Sequence, residues 1–258
     1  ASSTISDTII NSYDAGTSVN LNLTFNIPMD TSGAPQIVLS PANLYQVISI
    51  NQIYWVDSFE LQMEMDVNNN ILEQFSSLIR IQGVDAGNGM HLPEINLENY
   101  FIVDTKLPEI TSFIGDLPIL SDNDLSNGYQ CVIQLDEDCN VNLSPTFVFS
   151  GIDYLNPTIT ENQSNWISAQ EYQATFNVAD FNENVSSVDV LIENIRDEHG
   201  NPLLNPNQSD ICSIDTKNPL TTGIFISDSV INIDDLTMNP QIDLVVYFDE
   251  TMDTSFIP

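Results

Sequence analysis

The chain repeats itself, and this constrains its folding more than any other feature. Asp104, Thr105, Lys106 and Pro108 recur as Asp215, Thr216, Lys217 and Pro219, 111 residues further on. Trp55 and Trp166, the only two tryptophans, stand the same 111 residues apart, and each precedes a run holding Glu then Gln (Glu60 and Gln62; Glu171 and Gln173). A third marker occurs three times, since residues 25–32 are echoed by 248–255 and more loosely by 135–140. Self-similarity at a fixed period means that one unit folds and is copied along the chain. The chain thus divides into 1–104, 105–215 and the opening of a third unit, 216–258.

Each unit reads as β throughout. Residues 19–27 alternate Val19, Leu21, Leu23, Phe25 and Ile27 with Asn20, Asn22, Thr24 and Asn26, the period-2 pattern of a strand with one buried and one wet face. Residues 59–67 place Phe59, Leu61, Met63, Met65 and Val67 inside and Glu60, Gln62, Glu64 and Asp66 outside. Tyr172, Ala174, Phe176 and Val178 follow the same pattern, as do Val188, Val190 and Ile192. Turn signals separate these runs, including residues 85–89 and their expected counterpart 197–201. About seven short strands in roughly 110 residues is the count of an immunoglobulin-like sandwich. The fold class expected is all-β, in tandem immunoglobulin-like β-sandwiches of about 111 residues each.

A family resemblance rests on three motifs. The strand ending Phe248, Asp249, Glu250, Thr251, Met252, Asp253, the strand from Tyr172 closing on Val178, Ala179, Asp180, and the turn from Asp197 to Asn201 together resemble the bacterial immunoglobulin-like repeats of large surface adhesins. The resemblance runs through both full units and the fragment. It departs at Asn26, Ile27 and Pro28 in the first unit and at Leu135 and Cys139 in the second. It implies a secreted or cell-surface location and a structural role, as a stalk or filament segment of an extracellular adhesin or surface appendage. The implied partners are neighbouring repeats or other copies in an appendage, and a cell-surface or glycan receptor.

Charge narrows the partners further. Thirty-seven acidic side chains against four basic ones give −33, which excludes nucleic acid and acidic membrane surfaces and makes cations the natural partners. A hydrophobic share of 42% with 16% charged residues belongs to a folding chain rather than an acidic disordered tail. No apolar run approaches the roughly 18 residues of a membrane-spanning helix, so membrane insertion is not expected. The polar start without a basic leader reads as a soluble chain or a mature piece of a longer one. The third unit stops after about two strands, so it is expected to need a continuation or a neighbouring molecule to cover its edges.

The acids gather where units meet. At the first junction Asp104 is expected beside Asp66 and Asn68 and beside Asp136, Glu137 and Asp138 of the next unit. At the second, Asp215 is expected beside Asp180, Asn182 and Glu183, and then Asp249, Glu250 and Asp253. Such carboxylates suit Ca²⁺, which takes roughly six to eight oxygen ligands and would stiffen the joints. The alternative is a solvated acidic coat kept for solubility. Residues 121–128 also resemble a short calcium loop, with the glycine one position late and no Glu at the twelfth place. Lys106 and Lys217, half of the cations, read either as clamps between acidic units or as exposed side chains of a repeated linker.

Catalysis is not expected. His91 and His199 both fall in turn-like stretches without a partner at a recognisable spacing, and no phosphate loop, paired Cys motif or His ligand pair is present. Trp55 and Trp166 are expected to serve the core rather than to stack on sugar, and Cys131 and Cys212 to be buried small apolar residues. Two other functions stay open, a carbohydrate-binding module or the accessory domains of a secreted hydrolase.

Overall fold

Alternating apolar residues with β-branched and aromatic side chains favour pleated, half-buried strands, and the chain is built almost wholly of these. The structure, a computed structural model, describes residues 1–74, 76–152, 157–230, 233 and 241–252. The first segment supplies β1 (Ser2–Ile5), β2 (Ile9–Ile10), β3 (Ser18–Thr24), β4 (Gln36–Ser40), β5 (Ile48–Trp55), β6 (Glu60–Val67), β7 (Glu73–Gln74), β8 (Leu78–Gln82), β9 (Ile95–Glu98) and β10 (Ile102–Asp104). The second supplies β11 (Ile110–Gly115), β12 (Ile119–Ser121), β13 (Tyr129–Leu135), β14 (Thr146–Ser150), β15 (Ile159–Ser168), β16 (Glu171–Val178), β17 (Asn184–Glu193) and β18 (Asn207–Asp215). The third contributes a hairpin, β19 (Thr221–Ile226) with β20 (Leu244–Phe248).

In the second segment two four-stranded sheets, β11-β13-β16-β15 and β12-β18-β17-β14, pack face to face. Their shared core joins Tyr129, Cys131, Ile133, Tyr172, Ala174 and Phe176 from one sheet to Val188, Val190, Ile192, Cys212 and Ile214 from the other. The first segment has a matching sheet, β1-β3-β6-β5, while its opposite layer is divided into β2-β10-β7 and β4-β8-β9. Its core draws on Leu21, Leu23, Leu61, Met63, Ile79, Ile81, Phe101 and Val103. Burying each such side chain stabilises its segment by roughly 1.5–3 kcal/mol.

The pairings coincide at the sequence period. Leu21 faces Met63 across β3 and β6, and Cys131 faces Ala174 across β13 and β16. The β19–β20 hairpin carries its irregularity between Thr221 and Gly223, and β11–β13 carries one between Ile110 and Ser112, 111 residues earlier. Both tryptophans pack beside their cores. Their indole N–H groups donate to Gly33 O at 2.9 Å and Leu143 O at 2.8 Å, so each pins the loop crossing over it.

Two expectations need correcting. Phe59 and Ile27 are exposed because β6 starts at Glu60 and β3 ends at Thr24, which leaves both residues in turns. The turn at 197–201 is also matched one residue later than the sequence suggests. Asp197 N–H donates to Asn201 O as Ala86 N–H does to Met90 O, so Asp197 corresponds to Ala86 and not to Asp85.

Candidate functional site

The site begins where β10 ends. Thr105 is buried; its N–H donates to Leu72 O at 2.9 Å, its hydroxyl donates to Asn70 O at 2.6 Å and accepts from Leu72 N–H at 2.9 Å. Those bonds fix the direction in which the chain leaves the first segment, and Pro108 keeps the residue before it extended. Asp104 and Lys106 are thereby held against the second segment, around a cleft of about 610 Å³ lined by Glu73, Asp104, Lys106, Asp136, Glu137 and His199 among others.

Lys106 Nζ lies 2.9 Å from Asp136, 3.7 Å from Glu137 and 4.0 Å from Glu73, and so bridges both segments. On the other side of Asp104 stands the turn 197–201, shaped by Gly200 at φ +93°, a conformation that glycine adopts without strain. His199 Nδ1 meets Asp104 Oδ2 at 2.7 Å, and Asn201 Nδ2 donates to the Asp104 carbonyl at 2.8 Å and to Asp197 Oδ2 at 2.6 Å. Asn201 Oδ1 accepts from Ser12 N–H at 2.7 Å, and Asn11 Nδ2 donates to His199 O at 3.1 Å. Arg196 donates to the Tyr13 hydroxyl at 2.6 Å, with its guanidinium 5.4 Å from the ring centroid.

The electrostatics follow from burial. Desolvation, with the Asp197 charge, raises the Asp104 carboxyl, and the hydrogen bond from His199 offsets part of that rise. Burial pushes Glu137 up to about 7, with Asp136, Asp104 and Glu73 acting in the same direction and Lys106 against it. Burial works on Asp136 too, but the Glu109 N–H and the Lys106 ammonium hold it below its ordinary value. Lys106 is raised, chiefly by its bond to Asp136. Burial also pushes the thiols of Cys131 and Cys139 up to about 12 and that of Cys212 up to about 11, and all three are buried and free.

A second joint repeats the first in part. Thr216 N–H donates to Glu183 O at 2.8 Å and Thr216 Oγ1 accepts from Glu183 N–H at 3.1 Å, as Thr105 does with Leu72. Lys217 Nζ lies 2.7 Å from Asp249, whose Oδ1 accepts from Leu220 N–H at 2.8 Å, just as Asp136 Oδ1 accepts from Glu109 N–H at 2.7 Å. Burial and the charges of Asp180 and Asp215 raise Asp122, so these three carboxylates face one another.

Of the acids expected at the first junction, Asp104, Asp136, Glu137 and Asp138 line the cleft. Asp66 does not; it accepts from Ser18 Oγ at 2.8 Å on the outer face of β6. At the second, Asp180 accepts from Asn182 N–H, Glu183 bonds Thr158, Asp215 accepts from Asn184, and Glu250 acts on Lys217 through space. Asp253 lies outside the described residues. The expectation that both histidines lack partners is wrong: His91 pairs with Asp85 at 2.5 Å and His199 with Asp104. Residues 121–128 form a short turn capped by Ser121 and Asp124 rather than a calcium loop. The sequence reading missed Glu73, Asp197, His199 and Asn201 as site residues, although it had singled out 197–201 as a turn.

Asp104, Asp197 and His199 place ligand atoms within 4.8 Å of one another, and so do Glu73, Asp104 and Glu137. The first set contains an imidazole, and Lys106 lies among the second, so neither is the all-oxygen cage that Ca²⁺ prefers. Among the described residues no helix is long and apolar enough to cross a membrane. Comparison with known family models finds no match, and neither does comparison with curated proteins.

Proposed function

We propose that the chain is a stiff segment of an extracellular stalk, built of tandem immunoglobulin-like sandwiches at 1–104 and 105–215 with the start of a third at 216–258. In this reading it is a structural part of a bacterial surface adhesin or appendage and performs no chemistry. One observation carries the proposal. The same linker bonds recur at Thr105 and Thr216, with the same lysine–aspartate pairing at Lys106 and Lys217. A joint that serves only to connect needs no repeated geometry, whereas one that sets an angle does.

Three of the four cationic side chains, Lys106, Arg196 and Lys217, lie at these joints. In a chain of charge −33 they offset repulsion where segments approach. Calcium belongs in this reading as a supplement at the second joint, where Asp122, Asp180 and Asp215 face one another. Small-angle scattering on the whole chain tests it. The expected result is a rod whose maximum dimension shortens on Lys106→Ala and Asn201→Ala substitution, and lengthens modestly with millimolar Ca²⁺ at constant ionic strength. A maximum dimension indifferent to both substitutions would sink the stalk reading.

A further inference from the structure

We propose that Asp104, Asp197 and His199, with Glu137 as a fourth ligand, bind a divalent first-row transition metal across the first joint. The inference goes beyond the stalk role and does not depend on it.

Four observations lead there. The three ligand atoms already lie within 4.8 Å of one another, and ligands of a tetrahedral zinc ion stand ~3.4 Å apart, so small side-chain movements close the shell. Two of the three residues, Asp104 and Asp197, are only 2% exposed. Second, the charge is unbalanced: Glu73, Asp104, Asp136, Glu137 and Asp197 line one cleft with Lys106 as the ammonium among them. Third, Glu137 Oε1 is buried with no hydrogen-bond partner among the described residues, on a side chain only 11% exposed. A desolvated carboxylate oxygen facing Asp104 without a donor is what a missing cation leaves behind.

The fourth observation is the support around the ligands. Asp197 Oδ1 accepts from His199 N–H at 2.8 Å and Asn201 N–H at 2.9 Å, and Asn201 Nδ2 holds Oδ2. Outer bonds of this kind orient ligands in metal sites. The donor set then selects the ion. Imidazole nitrogen with carboxylates suits zinc, manganese or their neighbours, while calcium and magnesium take oxygen alone. Asp104 comes from the first segment and the other three from the second, so the ion couples the two.

The test is calorimetric titration of the chelator-stripped 258-residue chain with zinc, calcium and magnesium chlorides at constant ionic strength. One zinc per chain is expected to bind at least tenfold more tightly than calcium. His199→Gln, which keeps a hydrogen-bond donor for Asp104, should weaken zinc by more than roughly tenfold, the loss that even outer partners of a metal site produce. Calcium affinity should hold, and His91→Ala should change neither. Zinc affinity unchanged in His199→Gln, or zinc no tighter than calcium, overturns the proposal. X-ray absorption of the wild-type chain with one equivalent of zinc guards against a variant that fails to fold. A nitrogen scatterer in the first shell supports the site, and an oxygen-only shell removes it. The stalk reading is measured without zinc, so the two can fail separately.

Discussion

At residues 104–109 and again at 215–220 the chain leaves a segment through the same threonine bonds and the same lysine–aspartate pair, yet Asp104 is 2% exposed and Asp215 lies open to solvent. The difference has one structural source. Asp104 is covered by the turn at 197–201 of the following segment, whereas among the described residues of the third segment nothing corresponds to that turn. The linker therefore sets the direction of the joint, and the turn sets its depth. Burial then makes the chemistry: only at the first joint are carboxylates desolvated enough to push Glu137 up to about 7.

The largest effect that could break this comparison comes from Asn201. It is fully buried and holds Ser12 N–H, the Asp104 carbonyl and Asp197 at once. Asn201→Ala leaves buried groups without partners and should cost about 2–4 kcal/mol, at roughly 1–3 kcal/mol per orphaned group with some relaxation. Calorimetry would show the loss in the transitions of the first two segments, while the Lys217–Asp249 pair should be untouched by NMR. A cost under about 0.5 kcal/mol would mean that the turn does not set the depth.

Threonine tests the half that the joints share. Thr105→Val and Thr216→Val each remove the same hydroxyl bonds and should each cost about 1–2 kcal/mol, alike within error in denaturant titrations. Unequal costs would show that the matched geometry hides different energetics. A smaller effect separates the lysines. Lys106→Met leaves Asp136 and Glu137 without their ammonium and should cost about 1 kcal/mol, the upper end for a partly exposed pair. Lys217→Met breaks an open pair and should leave the melting temperature unchanged.

The strands were legible because burial on one face imposes a period of two on the sequence, and Leu21, Met63, Cys131 and Ala174 follow it without interruption. The 111-residue spacing located both linkers, and with them Asp104, Lys106, Asp136 and Glu137. The covering turn was not legible. Its match to the first segment is shifted by one residue, and hydrogen bonding across the joint, rather than any pattern along the chain, gives Asp197, His199 and Asn201 their roles. Composition also pointed the wrong way. An excess of acid suggested external cations at every joint, while the first holds Lys106, Arg196 and His199 from the chain itself.

The finest contrast between the joints is their response to pH. Glu137 is raised from 4.5 to about 7 when folded, so the folded state holds that proton more tightly than the unfolded chain does. An acid raised in this way adds no penalty below its unfolded value and destabilises progressively as pH rises through about 7. Lys106 opposes the effect but stays protonated throughout this range, so it shifts the level and not the slope. Glu137→Gln removes the titrating group. In chelator, the variant should match the wild type near pH 4.5 and become the more stable of the two above pH 7, with the gap opening between those values. The measurement is urea denaturation of both proteins at several pH values, followed by a probe in the second segment. Lys217 and Asp249 stay ionised across the same range, one raised and the other lowered by their mutual bond, so a hairpin probe at Tyr247 should show no matching change. A wild-type curve parallel to that of Glu137→Gln across this range would mean that water reaches the first joint as freely as it does the second.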